Sequence, residues 1–121
     1  MTYRERREAK AARLRGWAET RQERARAAIA SGDKYRGDHA FNTQPGHIPE
    51  RARLIARQDR AFQSLDKADG MNSRAAEIER QADNAIYSDD PDAIERLREK
   101  IAGLEAQRER IKATNAAFRT Q

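Results

Sequence analysis

Behind Pro91 the apolar residues Ile94, Leu97, Ile101, Leu104, Ile111 and Phe118 recur at alternating spacings of three and four, and Arg108 and Asn115 fill the two remaining positions of the register. That period draws one face of an α-helix and, sustained from Ile94 to Phe118, the seam of a coiled coil. Its start is equally marked. Ser88, Asp89 or Asp90 can cap free backbone N–H groups, Pro91 suits the first helical position, and Asp92 and Glu95 complement the positive helix end. The pattern predicts a helix over residues 91–118, roughly 40 Å long at 1.5 Å per residue. A lone helix gains most of its stability by burying its apolar face, so this one is expected to pack antiparallel against its predecessor and to extend into a homodimer.

The rest of the chain carries weaker versions of the same signal. Tyr3, Ala11, Leu14, Trp17, Ala18, Ala25, Ala28 and Ile29 form a thin, alanine-rich stripe on a first helix over residues 2–31, interrupted only by Gly16. Small residues on such a stripe allow close helix approach. Residues 32–48, punctuated by Gly32, Gly37, Pro45 and Gly46, form the one irregular loop. Pro49 and Glu50 then open a second helix over residues 49–86, with Ile55, Phe62 and Leu65 followed by Ala75, Ile78, Ala82 and Ile86. Asp69-Gly70 interrupts this pattern: either the helix kinks there, since a helical glycine costs only about 1 kcal/mol relative to alanine, or it breaks and restarts behind Asn72 or Ser73. No motif recurs between the helices, which excludes a solenoid array. The reading is a single all-α domain over residues 1–121: long helices in an antiparallel coiled-coil hairpin or three-helix arrangement.

Composition sharpens this picture. Ala, Glu, Lys, Leu and Arg make up about half of the chain, as in long helices and coiled coils. Valine is absent, and Leu, Ile and Phe together number 16, too few for a thick core. There is no cysteine, hence no disulfide framework or cysteine-ligated zinc. No apolar run is long enough for a signal peptide or a membrane span. A soluble, cytoplasmic protein is expected, with no membrane association. Its net charge of +5 sits in the first helix, where nine cations oppose Glu5, Glu8, Glu19 and Glu23.

Candidate chemistry is sparse. His47 and Glu50, one turn apart at a helix entrance, could share a proton, but no nucleophile or further ligand accompanies them. A loop histidine helping to cap the helix is the simpler account. Asp89, Asp90 and Asp92 lack the glycine and distal glutamate of an EF-hand, and capping explains them. No catalytic residue, cofactor or metal site is expected. The loop, longer than a helix connection requires, offers Phe41, Asn42, Gln44, His47, Glu50 and Arg51 as a protein-contact surface. The alternative is a nucleic-acid accessory role for Arg4, Arg6, Arg7, Lys10 and Arg13, whose charge could release phosphate counterions. Trp17 and Tyr3, among these arginines, could stack on bases or simply pack.

Two patches resemble an uncharacterised family of helical domains found in bacteriophages, plasmids and bacterial genomes, notably of actinobacteria. One is Gln44-Pro45-Gly46-His47 with Glu50-Arg51; the other, more specific, is Ser88-Asp89-Asp90-Pro91-Asp92-Ala93 running into Ile101-Ala102, Leu104-Glu105-Ala106, Lys112-Ala113 and Asn115-Ala116. The similarity spans residues 13–119. Relatives carry a longer loop with a second histidine, whereas Ile48-Pro49 stand here, which argues against a His-His pair. The resemblance implies a helical fold and a mobile-element setting, and no activity. Together these readings point to a non-enzymatic interaction module that binds a host or phage protein.

Overall fold

The computed structural model describes residues 1–120, of which four α-helices take up most: α1 (Tyr3–Ala30), α2 (His39–Thr43), α3 (Pro49–Asn84) and α4 (Ala93–Arg119). Helix α1 starts where its sequence allows reciprocal capping. The Thr2 hydroxyl accepts from the Glu5 N–H at 3.2 Å, and the Glu5 carboxylate accepts from the Thr2 N–H at 2.7 Å.

Helices α1 and α3 form an antiparallel hairpin, and alanines are its hinge of contact. Ala11, Ala18 and Ala25 on α1, and Ala61, Ala68, Ala75 and Ala82 on α3, are all buried and lie seven residues apart on their helices. One alanine per heptad lets the backbones approach toward the short end of the usual 8–10 Å interaxial range. Leu14 and Ile78 fill the space beside Ala11 and Ala75, with Met71 packed against them. Polar cross-links fix the register: Arg7 donates to Gln81 at 2.6 Å, Arg15 grips Glu79 bidentately at 2.8 Å, and Arg21 donates to Ser64 at 3.3 Å.

The connection is more ordered than an irregular loop. A 3-10 turn (Asp33–Tyr35) and the short α2, capped by Asp38 through the Phe41 N–H at 3.0 Å, occupy it. Tyr35 and Phe41 stack with centroids 3.8 Å apart. Gly32, just past α1, lies against the Gln58 and Leu54 side chains of α3. Gly46 has φ +96°, the left-handed turn that delivers the chain to Pro49.

Helix α3 is continuous through Gly70, whose cost of about 1 kcal/mol relative to alanine a helix of this length absorbs. The largest departure from the sequence reading concerns α4. Its seam does not pack antiparallel on α3. Every residue from Leu97 to Thr120 is exposed, and α4 touches the hairpin only at its root. Along the half of the hairpin next to that root, α3 turns Asp66, Asp69, Ser73, Arg74, Glu77, Arg80 and Asp83 to solvent. Nothing greasy is left on that stretch to receive Ile and Leu knobs.

Candidate functional site

The root of α4 is a junction of three helix ends. Arg4, one residue into α1, reaches the last turn of α3, where its guanidinium donates to the Ala85 carbonyl at 2.7 Å and to the Ala82 carbonyl. Those carbonyls are among the unpaired acceptors that end a helix, and a cation is favourable beside them. The same guanidinium binds both oxygens of Asp90, Nε to Oδ1 at 3.2 Å and Nη2 to Oδ2 at 2.8 Å. Asp90 is the one charged side chain of the buried set, 8% exposed, and also accepts the Tyr87 N–H at 3.0 Å, with Arg96 of α4 at 3.7 Å. The Arg4 hydrogen bond, then the Tyr87 N–H, hold the Asp90 carboxyl below the usual carboxylate range. Tyr3 meets Tyr87 edge-on at 4.8 Å, and Arg4 lies over the Tyr87 ring at 5.1 Å.

This arrangement corrects the expected cap. Asp89 accepts the Tyr3 N–H at 2.7 Å, so it caps α1 in trans, and Asp90 is taken by Arg4 and Tyr87. Ser88 and Pro91 lie in the turns preceding α4, which begins at Ala93 behind Asp92 with no side-chain cap. Two successive turns, Asp90 N–H to the Tyr87 carbonyl and Ala93 N–H to the Asp90 carbonyl, delay the helix by two residues. Both aspartates are thus engaged by N–H and guanidinium donors. Among the described residues no group of three or more His, Cys, Asp or Glu side chains is placed to hold a metal ion.

Beyond this root, α4 presents its stripe to solvent. Ile94, Leu97, Ile101, Leu104, Ile111 and Phe118 are between 46% and 70% exposed, and Arg108 and Asn115 are exposed in the same row. An apolar row of this length is unusual on a water-facing surface. Glu109 and Lys112 pair at 3.7 Å on its flank. The hairpin exposes a smaller apolar set, Trp17 beside Met71 on one side and Ile55 and Phe62 on α3.

The other sequence candidates divide by role. Arg51 is a structural pin: its guanidinium donates to the carbonyls of Phe41 (3.2 Å), Gln44 (2.7 Å) and Gly46 (2.8 Å). Asn42 donates to the Tyr35 carbonyl at 3.1 Å, and Phe41 is partly covered by its stack on Tyr35. Gln44, His47 and Glu50 are exposed. His47 does not cap α3, whose N-terminus has no side-chain cap, and no bond joins His47 to Glu50 among the described residues. Of the basic residues, Arg4 is consumed by the junction and Arg7 is tied to Gln81. Arg6 lies 5.9 Å over the Tyr3 ring, while Lys10 and Arg13 point into solvent. The Arg4–Asp90 link spans 86 residues, and no local spacing could announce it; a second aspartate beyond the one a cap needs was the only hint.

A family model described as a domain of unknown function, DUF3560, matches residues 2–119. No curated protein and no solved structure matches the chain. Among the described residues no helix is long and apolar enough to cross a membrane.

Proposed function

We propose that this chain, which belongs to the DUF3560 family of unknown function, is a non-enzymatic interaction module that docks onto another polypeptide through α4. The exposed row Ile94 to Phe118 carries the reading. An apolar helix face held away from its own hairpin is the donor half of helix-to-helix or helix-in-groove recognition, with anchors at i, i+3 and i+7. The resemblance to phage and plasmid domains supports a mobile-element origin, with bacterial or phage proteins as the heterologous partners and the Gln44–Glu50 segment as a secondary contact.

The nucleic-acid alternative is less favoured, because the junction takes Arg4 and the hairpin takes Arg7 from the basic patch. A photo-crosslinking amino acid at Leu104, introduced into the full chain expressed in bacterial cells, tests the proposal. A protein adduct that survives nuclease supports it. Absence of any adduct refutes it, and an adduct lost on nuclease treatment transfers support to the alternative.

A further inference from the structure

We infer that the α4 stripe is covered by α4 of a second copy of this chain, the two helices lying parallel and in register as a two-stranded coiled coil. The inference rests on α4 being the docking helix and names its occupant. The argument is one of register. Placing Ile94, Ile101, Arg108 and Asn115 at the first core position of each heptad puts Leu97, Leu104, Ile111 and Phe118 at the second. Isoleucine at the first position with leucine at the second, as in the two leading heptads, is the combination that holds a parallel coiled coil to two strands. Like then meets like across the two-fold axis. Six of the eight layers are wholly apolar, and the two polar residues oppose only their own counterparts. Asn115 against Asn115 is the core polar pair that fixes register. Arg108 against Arg108 is the one adverse layer, and Glu105, three residues earlier on the same helix, can neutralise each.

The flanks agree. In the parallel register Lys100 of each helix faces Glu105 of the other, giving two attractive pairs, and the remaining flanking positions join a charged residue to Ala93, Gln107 or Thr114. The fully overlapped antiparallel register fails on both counts. It opposes Glu105 to Glu105 and Arg98 to Lys112, and sets Leu97 against Asn115 and Leu104 against Arg108. An antiparallel register slipped by one heptad pairs Arg98 with Glu105, but places Leu97 against Arg108 twice and leaves Phe118 uncovered. Every residue the pairing requires is exposed in the single chain. Self-pairing also leaves Trp17 and the Gln44–Glu50 segment open to heterologous proteins.

Light scattering on the purified full chain is expected to give twice the 13.8 kDa mass of one copy, falling to one copy in Leu104→Asp with the hairpin melt, followed by Trp17, unchanged. Because the chain has no cysteine, Asn115→Cys alone should form a disulfide-linked dimer on mild oxidation, which no antiparallel register allows. Reversing the charge in Lys100→Glu should weaken the dimer about tenfold, and Lys100→Arg should leave it intact. A single-copy mass at tens of micromolar, or a dimer indifferent to the charge reversal, overturns the inference. If the monomer's Leu104 probe still captures another protein in cells, only the second-copy assignment falls; if it captures nothing, the docking reading falls as well.

Discussion

Ala75 offers the sharpest test of what holds the hairpin together. It is fully buried and packed with Ala11, Leu14 and Ile78, whereas its neighbour Ala76 faces solvent on the same helix. Replacing Ala76 by glycine should cost only the helix-propensity difference, about 1 kcal/mol. The same change at Ala75 also removes a buried methyl, adding roughly 0.8 kcal/mol, so the two glycine variants should differ by about that amount. The leucine variants should diverge further. At Ala76 the added isopropyl group extends into water and changes stability by less than about 0.5 kcal/mol. At Ala75 it has no space, and because helices are stiff it must displace α1 from the neighbouring alanine contacts as well, an overpacking cost of about 1–3 kcal/mol. In a unit of this size each kcal/mol moves the melting temperature by roughly 4–8 °C. Trp17 is the only tryptophan and lies beside Met71 of α3, so its fluorescence follows the hairpin without the helical signal of α4. A neutral or stabilising Ala75→Leu would show that alanine does not set the spacing of α1 and α3, and the account of the fold would fail.

Other outcomes follow from the junction and the loop. Asp90 has a carboxyl held below its ordinary value in the folded chain, so its contribution is fully present above that ordinary value and is lost as pH falls through the lowered one; thermal melts should show Asp90→Asn destabilised at neutral pH and converging with the parent in acid, and a constant gap would refute the Arg4–Asp90 account. Arg4→Ala should lower the melting temperature, while Lys10→Ala and Arg13→Ala, both exposed, should change stability by less than about 0.5 kcal/mol; equal effects would mean that Arg4 is as free as the others. Arg51→Ala removes donors from three carbonyls, each worth roughly 1 kcal/mol at such positions, so amide exchange should accelerate within residues 33–47. A globally shifted melt instead would place Arg51 in the core of stability.

What the sequence disclosed, it disclosed through period. The heptad spacing from Ile94 to Phe118, the alanine recurrence in α1 and the Pro49 entry of α3 are local patterns, and all three helices stand close to where those patterns put them. The pairing of α1 with α3 is not among those patterns: the sequence reading sets the antiparallel seam between the last two helices, although the alanines of α1 already mark a stripe that admits a close neighbour. Two things were hidden for physical reasons. Period shows that a face is apolar and says nothing of which face covers it, so α3 was assigned a partner it lacks the knobs to hold. Capping chemistry is equally ambiguous: an aspartate before a proline can serve the next helix or, as Asp89 and Asp90 do, the ends of helices 86 residues away. Arg4 was for the same reason placed among free cations when its donors are spent on Asp90 and on the α3 carbonyls.

These two surprises are one design seen from opposite ends. A helix meant to pack on its own hairpin needs no special root, since its face would position it. Here the face is bare and the root is elaborate: a buried carboxylate, a bidentate arginine, a trans cap and an aromatic edge converge in the turns just before α4. Such a lock fixes the direction in which α4 leaves the hairpin while contributing nothing to covering its stripe. A disordered tail would lose conformational freedom on binding, and a pre-aimed helix loses less, so the same apolar row binds more tightly when its root is rigid. Loosening the root with Asp90→Asn should therefore weaken association through α4 although no residue of the stripe has changed. Binding unaffected by that substitution, in a variant shown by amide exchange to have a mobile α4 root, would separate the junction from recognition altogether.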